Sequence, residues 1–253
     1  NGHLGELYLE SHGVVFSPET ARINEFSVKN TDVSLTLENM EDTDTTTTEP
    51  IYWKILLDEI DFENVGFALK MPQDSLFVRT MLPKTTLKDG VIDLKEASYY
   101  VKSFDMDNAE LAYGPKEELS LKKIGLQLDS IYYCGRDIRA NIEEFVLKER
   151  SGLELVSTEG RIVSDSVLIE IPKFTMKTTA SSLDLQTKIG WDVLEMKKTG
   201  VLSARINAEI GKGDVAKILG GRDTLFLQTY PNKPFVFRAD AEGNLNSLRL
   251  RTL

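Results

Sequence analysis

Apolar and polar residues alternate with period two in short runs along much of the chain. Examples are SLTLE from Ser34, FALKM from Phe67, VIDLK from Val91, IGLQL from Ile124, LELVS from Leu153, VLIEI from Val167 and FVFRA from Phe235. Successive side chains of a strand point to opposite faces, so each run predicts a strand with one apolar and one wet face. Turn-forming pairs separate the runs: Asp89-Gly90, Gly114-Pro115, Ser151-Gly152, Glu159-Gly160, Thr199-Gly200 and Gly243-Asn244. Short strands with frequent turns and few helices predict an all-β meander. Trp53, Leu56, Leu57 and Ile60 also fit one helical face, but strand-like IDFENVGFALKM follows at once, so this stretch reads as strand. One helix is predicted in GDVAKILGG, with Asp214 as N-cap and Gly220 as its stop. Residues 38–50 form an acidic, Thr-rich stretch expected to be a flexible loop.

The chain also repeats itself. INEFSVKNTDVSLTL at 23–37 lies without a gap over IPKFTMKTTASSLDL at 171–185, and IEEFVLKERSGLEL at 142–155 is a third, slightly shorter copy. The starts at Ile142 and Ile171 are 29 residues apart, a period that suggests an array of supersecondary units. Parity sorts the faces. Phe26 and Val28 share one, and Val33, Leu35 and Leu37 share one beyond a turn. Phe174, Met176, Leu183 and Leu185 take those places in the second copy; Phe145, Leu147, Leu153 and Leu155 take them in the third. The alternating runs add Phe67, Leu69, Ile92, Leu94, Leu126, Leu128, Val167 and Ile169 as candidates for the same apolar surface. The opening Ile is out of step with the Phe three residues on, so a bulge or strand switch is expected between them. Each unit therefore reads as a bent hairpin, greasy on one side, that cannot bury that side alone.

An apolar sheet face can be covered by a second sheet, can close into a barrel, or can stay open for an apolar ligand. A sandwich needs no sequence period, whereas an extended groove is built from one. The expectation is an elongated, curved antiparallel sheet, a β-groove or open barrel-like meander of repeated hairpins with at most one or two short helices. It spans 1–253 as a single repeating segment and reads as a fragment of a longer protein.

The totals narrow the partners. A net charge of −10 gives the chain as a whole no electrostatic reason to seek nucleic acid or anionic membrane surfaces. The single cysteine, Cys134, permits neither an internal disulfide nor a cysteine zinc site, and no apolar run approaches the roughly 20 residues that span a bilayer. Catalytic signatures are sparse. His3 and His12 lack a metal-binding pattern; Asp105 and Asp107 lack the glycine and distal glutamate of a calcium loop. Glu59, Asp61 and Glu63 read as the wet side of a strand. GKGDVAKILGG does not have the spacing of a phosphate loop, and Cys134 has no evident histidine partner. No catalytic residue, metal site or cofactor is expected.

The Ile-x-x-Phe units, the stretch DGVIDLKEASYYVKSFDMDNAELAYG and the stretch LKERSGLELVSTEGRIVSDSVLIEIPKFTMKTTASSLDLQTKIGWD resemble the TamB and AsmA-like proteins of Gram-negative bacteria. The resemblance runs from Leu35 to Thr252 and is one of strand-turn texture, with phrases such as SLDL and EGNLNSLRL. It implies a repeating β-groove in the periplasm, on a protein anchored in the inner membrane. It further implies that the groove carries phospholipid acyl chains towards the outer membrane, and partnership with an outer-membrane assembly barrel. The alternatives are a structural or interaction module for outer-membrane protein assembly and, more distantly, a carbohydrate-active β-solenoid.

Overall fold

The structure is a computed structural model that describes residues 2–16, 19–37, 52–72, 76–195, 200–220, 222–244 and 246–252. The acidic stretch 38–50 lies outside the described residues. The fold is all-β, mostly antiparallel and built largely of hairpins; the described residues form fourteen strands and three short helices, one more helix than the sequence suggests. The chain divides into two compact units, Asn1–Gln127 and Leu128–Leu253.

The first unit holds β1 (Gly2–His3), β2 (Glu6–Phe16), β3 (Glu19–Thr36), β4 (Lys54–Met71), β5 (Leu76–Asp93), β6 (Ser98–Tyr113) and the first part of β7 (Leu119–Cys134). β1 and β2 pair with β3, and β4 to β7 follow in sequence order. The β3–β4 pair is parallel; β2–β3, β4–β5 and β5–β6 are antiparallel. Residues 23–37 are therefore not the hairpin expected of them. They run within β3 and just past it, and Leu37 lies beyond the strand end, its amide donating to the Lys70 carbonyl at 2.9 Å.

Two rows of residues drop out of the pairing together on successive strands. One row is Asn24, Asp58, Asp89 and Lys102; the other is Asn30, Asn64, Pro83 and Asn108. Asn30, Asn64, Asp89 and Asn108 sit at φ of 49°, 53°, 53° and 54°. Asn and Asp tolerate this left-handed conformation better than other residues with a Cβ, and a single such residue kinks an extended strand. Pro83 fits because an unpaired position needs no N–H. Polar side chains join neighbours across the rows: Arg22 grips Asp58 through two bonds of 3.0 and 3.1 Å, and Asn24 Nδ2 donates to Asp58 at 2.8 Å. Lys102 reaches Asp89 at 3.0 Å, and Asn64 Nδ2 donates to Asn30 Oδ1 at 3.2 Å.

The second unit continues with the rest of β7, then β8 (Asp137–Glu149), β9 (Glu154–Ser164), β10 (Leu168–Thr178), β11 (Ser182–Gly190), β12 (Leu202–Ile210), β13 (Phe235–Asn244) and β14 (Ser247–Thr252). From β8 to β14 each strand pairs antiparallel with the next. Here the two later copies of the repeat are hairpins, β8–β9 and β10–β11. The out-of-step Ile marks a break in pairing in all three copies: Asn24 is skipped after Ile23, pairing lapses after Ile142, and the register shifts between Ile171 and Phe174.

Helix α1 (Trp191–Leu194) follows β11, and α2 (Lys212–Leu219) and then α3 (Thr224–Thr229) lie between β12 and β13. The α2 N-cap is Gly211, not Asp214, while Gly220 closes the helix in the left-handed conformation, as predicted. Asp214 is buried in the first turn, and its carboxylate accepts hydrogen bonds from Thr178, from Ser181 Oγ at 2.7 Å and from Thr179 Oγ1 at 3.3 Å, with Lys217 Nζ at 3.7 Å. Burial pushes the Asp214 carboxyl up, but the Ser181 and Thr178 hydroxyls, the Lys217 charge and Thr179 outweigh it and hold it below the usual carboxylate range. Gly211 is needed because a Cβ there would run into the Ala180 carbonyl. Asp214 thus fastens α2 to the β10–β11 turn.

Candidate apolar binding face

Pairing partners on neighbouring strands share a face, so the registers sort the first unit into rows. Below the first kink row stand Ala21–Ile55–Ile92–Tyr99 and Ile23–Leu57–Gly90–Val101. Between the kinks stand Phe26–Ile60–Leu87–Phe104 and Val28–Phe62–Thr85–Met106. Above the second kink stand Val33–Phe67–Thr80–Leu111 and Leu35–Leu69–Val78–Tyr113. Two contacts check the sorting. The Phe26 and Phe62 rings meet edge to face with centroids 6.3 Å apart, and a Cβ on Gly90 would lie 3.2 Å from both Leu57 Cβ and Leu87 Cδ2.

The intervening rows are charged: Glu25–Glu59–Lys88–Ser103, Ser27–Asp61–Thr86–Asp105 and Lys29–Glu63–Lys84–Asp107. Lys88 Nζ meets Glu59 at 3.0 Å, and that bond and charge raise the lysine pKa. Glu59, Asp61 and Glu63 are thus the wet side of β4, and Asp105 and Asp107 pair with Thr86 and Lys84 on that same side.

The second unit repeats the arrangement. Phe174–Leu185–Ile206–Ala239 and Met176–Leu183–Ala208–Phe237 alternate with Thr175–Asp184–Asn207–Arg238. Ile169–Ile189–Leu202–Gly243 forms another apolar row, and Leu147 pairs with Leu155. On the polar side, Lys188 reaches Glu170 at 2.8 Å and Arg205 reaches Asp240 at 2.9 Å. These ions line a hollow of about 350 Å³ with Gln186, Glu242, Arg249 and Arg251, so it is walled mainly by charge and polar groups.

Most predicted residues fall in these rows or strands. Leu126 and Leu128 are half-buried at alternate positions of β7, and Phe145 is half-buried in β8. Three others lie outside strands besides Leu37. Leu94 is in the turn after β5, where its amide bonds the Trp53 carbonyl. Leu153 closes the β8–β9 turn through its carbonyl, which accepts the Glu149 amide. Val167 is 67% exposed in the β9–β10 turn, its amide bonded to Asp165 Oδ1. Period-two alternation runs on through these tight turns, where facing is set by the turn and not by the pleat. The candidate set left out Ile60 and Phe62, although Glu59, Asp61 and Glu63 beside them already read as the wet side of their strand, and it left out Leu87, Phe104, Met106 and Ile206. The three-residue apolar step across a kink, seen as Leu57 to Ile60 and Phe62 to Val65, was the signal that would have placed the first two.

Burial grades along the face. Val28 and Leu57 are each 8% exposed, whereas Val33, Leu35 and Phe67 are 44, 45 and 39% exposed. Among the described residues, every strand of the first unit belongs to one hydrogen-bonded sheet and no helix occurs there. The helices of the second unit lie in the connections between strands. Thr85 and Thr158, in or beside the apolar rows, are buried with hydroxyls that have no partner in the structure.

Among the described residues no cluster of His, Cys, Asp and Glu could hold a metal, and no helix is long and apolar enough to cross a membrane. His12 contacts Asn24 beside the first kink row, and Cys134 is half-buried at the end of β7. Fold and face together define an all-β hairpin protein in which each unit has strands apolar on one side and charged on the other. No protein-family model, curated protein or solved structure gives a significant match to the chain.

Proposed function

We propose that the chain is a non-catalytic holder or conductor of lipid acyl chains, with the apolar rows as its binding surface. The observation that carries this reading is the exposure of Val33, Leu35 and Phe67 on a face that no described strand or helix of the first unit layers. A hydrocarbon chain gains about 0.8 kcal/mol for each methylene it removes from water, so ten methylenes on this face gain about 8 kcal/mol. Rows without a deep end pocket favour sliding, and the charged headgroup stays at the rim of the apolar face in water. No bond is made or broken in this role. Phospholipid as cargo, a periplasmic position on a membrane-anchored protein, and an outer-membrane assembly barrel as partner belong to the same proposal. They rest on the TamB and AsmA-like resemblance.

The test is solvent extraction of the purified chain followed by mass spectrometry, with a fluorescent fatty acid titrated into delipidated protein. Co-purified phospholipid and saturable fatty-acid binding are expected. Neither lipid nor binding would sink the reading.

A second reading has one observation in its favour. Among the described residues β2 has a strand neighbour, β3, on one edge alone, and Leu7, Leu9, Val14 and Val15 are each at least half exposed. Such an edge can accept a partner strand by β-augmentation, as an assembly module would. Recovery of a barrel protein from envelope extract by a lipid-free chain favours it.

A further inference from the structure

A second group of exposed apolar side chains stands on helices rather than in the strand rows. In the second unit, Ile218 of α2 is 68% exposed, and Leu225 and Phe226 of α3 are 75 and 47% exposed. Local bonds hold this segment in shape. Asp223 Oδ1 accepts the Phe226 amide at 2.9 Å to cap α3, Phe226 packs edge-on against Tyr230 at 5.8 Å, and Tyr230 Oη donates to the Ile210 carbonyl at 2.8 Å.

The charge here opposes that of the chain. Between Gly211 and Arg238 stand Lys212, Lys217, Arg222, Lys233 and Arg238 against Asp214 and Asp223, within a chain of net charge −10. Both aspartates are occupied, Asp214 under the β10–β11 turn hydroxyls and Asp223 as the α3 cap. Lys217 belongs to the Asp214 cluster, while Lys212, Arg222 and Lys233 are in no ion pair shown among the described residues.

We propose that the α2–α3 segment is a docking patch for a bilayer containing anionic lipid. Ile218, Leu225 and Phe226 enter the acyl boundary, and Lys212, Arg222 and Lys233 meet the headgroups. Exposed apolar side chains interspersed along a short helical segment with basic ones are the composition that interfacial helices use. The acidic remainder does not cancel this, because at physiological salt a charge is felt over about 8 Å, so the bilayer reads the local patch. The inference concerns where the chain meets a membrane and does not depend on the sheet face holding an acyl chain.

Vesicle flotation with the whole chain tests it, using phosphatidylcholine alone and phosphatidylcholine mixed with phosphatidylglycerol. Wild-type protein should float with the mixed vesicles and be weakened by high salt. Ile218→Asp/Leu225→Asp should lower the bound fraction about tenfold or more. Arg222→Glu/Lys233→Glu should reduce binding to the level seen on phosphatidylcholine alone. All four positions are exposed, so circular dichroism and Tm should match wild type, and lipid extracted from the first variant should match as well. Wild-type protein that stays behind with mixed vesicles, or an Ile218→Asp/Leu225→Asp chain that floats like wild type, overturns the proposal. So does a variant that loses vesicle binding and fold together.

Discussion

Placing a carboxylate on the apolar face separates a binding surface from a core, because Leu35 and Leu57 stand on one face at different burial. Burying a leucine fully is worth about 1.5–3 kcal/mol. Leu35 is already 45% exposed, so Leu35→Asp forfeits about 1–1.5 kcal/mol and its carboxylate stays hydrated. Leu57 is 8% exposed; Leu57→Asp loses nearly the whole burial term and adds roughly 2 kcal/mol or more for a desolvated charge. One kcal/mol moves the Tm of a chain this size by about 2–4 °C. Leu35→Asp should therefore melt about 2–6 °C below wild type, and Leu57→Asp at least about 7 °C below or not fold. Lipid binding should order the other way. An aspartate among Leu35, Leu69 and Val78 denies about three methylenes their contact, a loss of about 2.4 kcal/mol, or roughly fiftyfold in fatty-acid affinity. Differential scanning fluorimetry and fatty-acid titration of the same preparations read both quantities. If Leu35→Asp unfolds the chain as severely as Leu57→Asp, the exposed rows are core. If it folds and binds like wild type, these rows do not bind acyl chains.

Three further outcomes follow from particular contacts. Asp214→Asn should cost about 1.5–3 kcal/mol at neutral pH by weakening charge-assisted bonds. Because the folded-state pKa is lowered, wild-type Asp214 contributes its stability above the unfolded value near 3.9 and loses it as pH falls through the folded value. A Tm series from pH 7 to about pH 3 should thus fall more steeply for wild type than for the variant. Thr85→Val removes a buried hydroxyl that has no partner while nearly keeping its shape, so urea unfolding should show about 1 kcal/mol of added stability. Asn64→Gly should leave the urea midpoint nearly unchanged, since glycine adopts the φ of 53° without strain. Deleting Asn64 should lower stability by about 3 kcal/mol or more, because it turns Val65, Phe67 and Leu69 towards the wet face.

Strand identity was legible throughout because alternation is a direct image of the pleat. Trp53–Ile60 shows why arbitration was needed: Leu56, Leu57 and Ile60 fit a helical stripe. The contiguous strand signal that followed pointed to the right reading, and Lys54–Met71 is one strand. The apolar face was legible where runs stayed inside strands, as at Phe174, Met176, Leu183 and Leu185. It failed at Leu94 and Val167, where tight turns break the pleat. Chain direction was not legible. The same fifteen-residue phrase is a hairpin at 171–185 and part of one strand at 23–37. At 178–181, Thr178 Oγ1 accepts the Ser181 amide at 2.8 Å and Asp214, 33 residues beyond Ser181, clamps both hydroxyls. At the matching place Asn30 supplies a single left-handed residue and the strand resumes pairing with β4 at Thr31. The decisive partner for the hairpin lies far outside the repeated phrase.

This shifts what the repeat encodes. Strict alternation from Ile23 would send Glu25, Ser27 and Lys29 inward. The sequence instead steps three residues, to Phe26, and drops Asn24 from the pairing. The same step takes Leu57 to Ile60, Val101 to Phe104, Phe62 to Val65 and Met106 to Ala109, each across a kink row. A kink in one strand alone would throw its apolar residues out of register with both neighbours. Aligned kinks with matched three-residue steps let 18-residue strands change course twice while one side of the sheet stays apolar. What the chain repeats is thus a kink bound to a face, not a hairpin. That is why Ile-x-x-Phe survives in all three copies, although one copy lies in a single strand and two are hairpins.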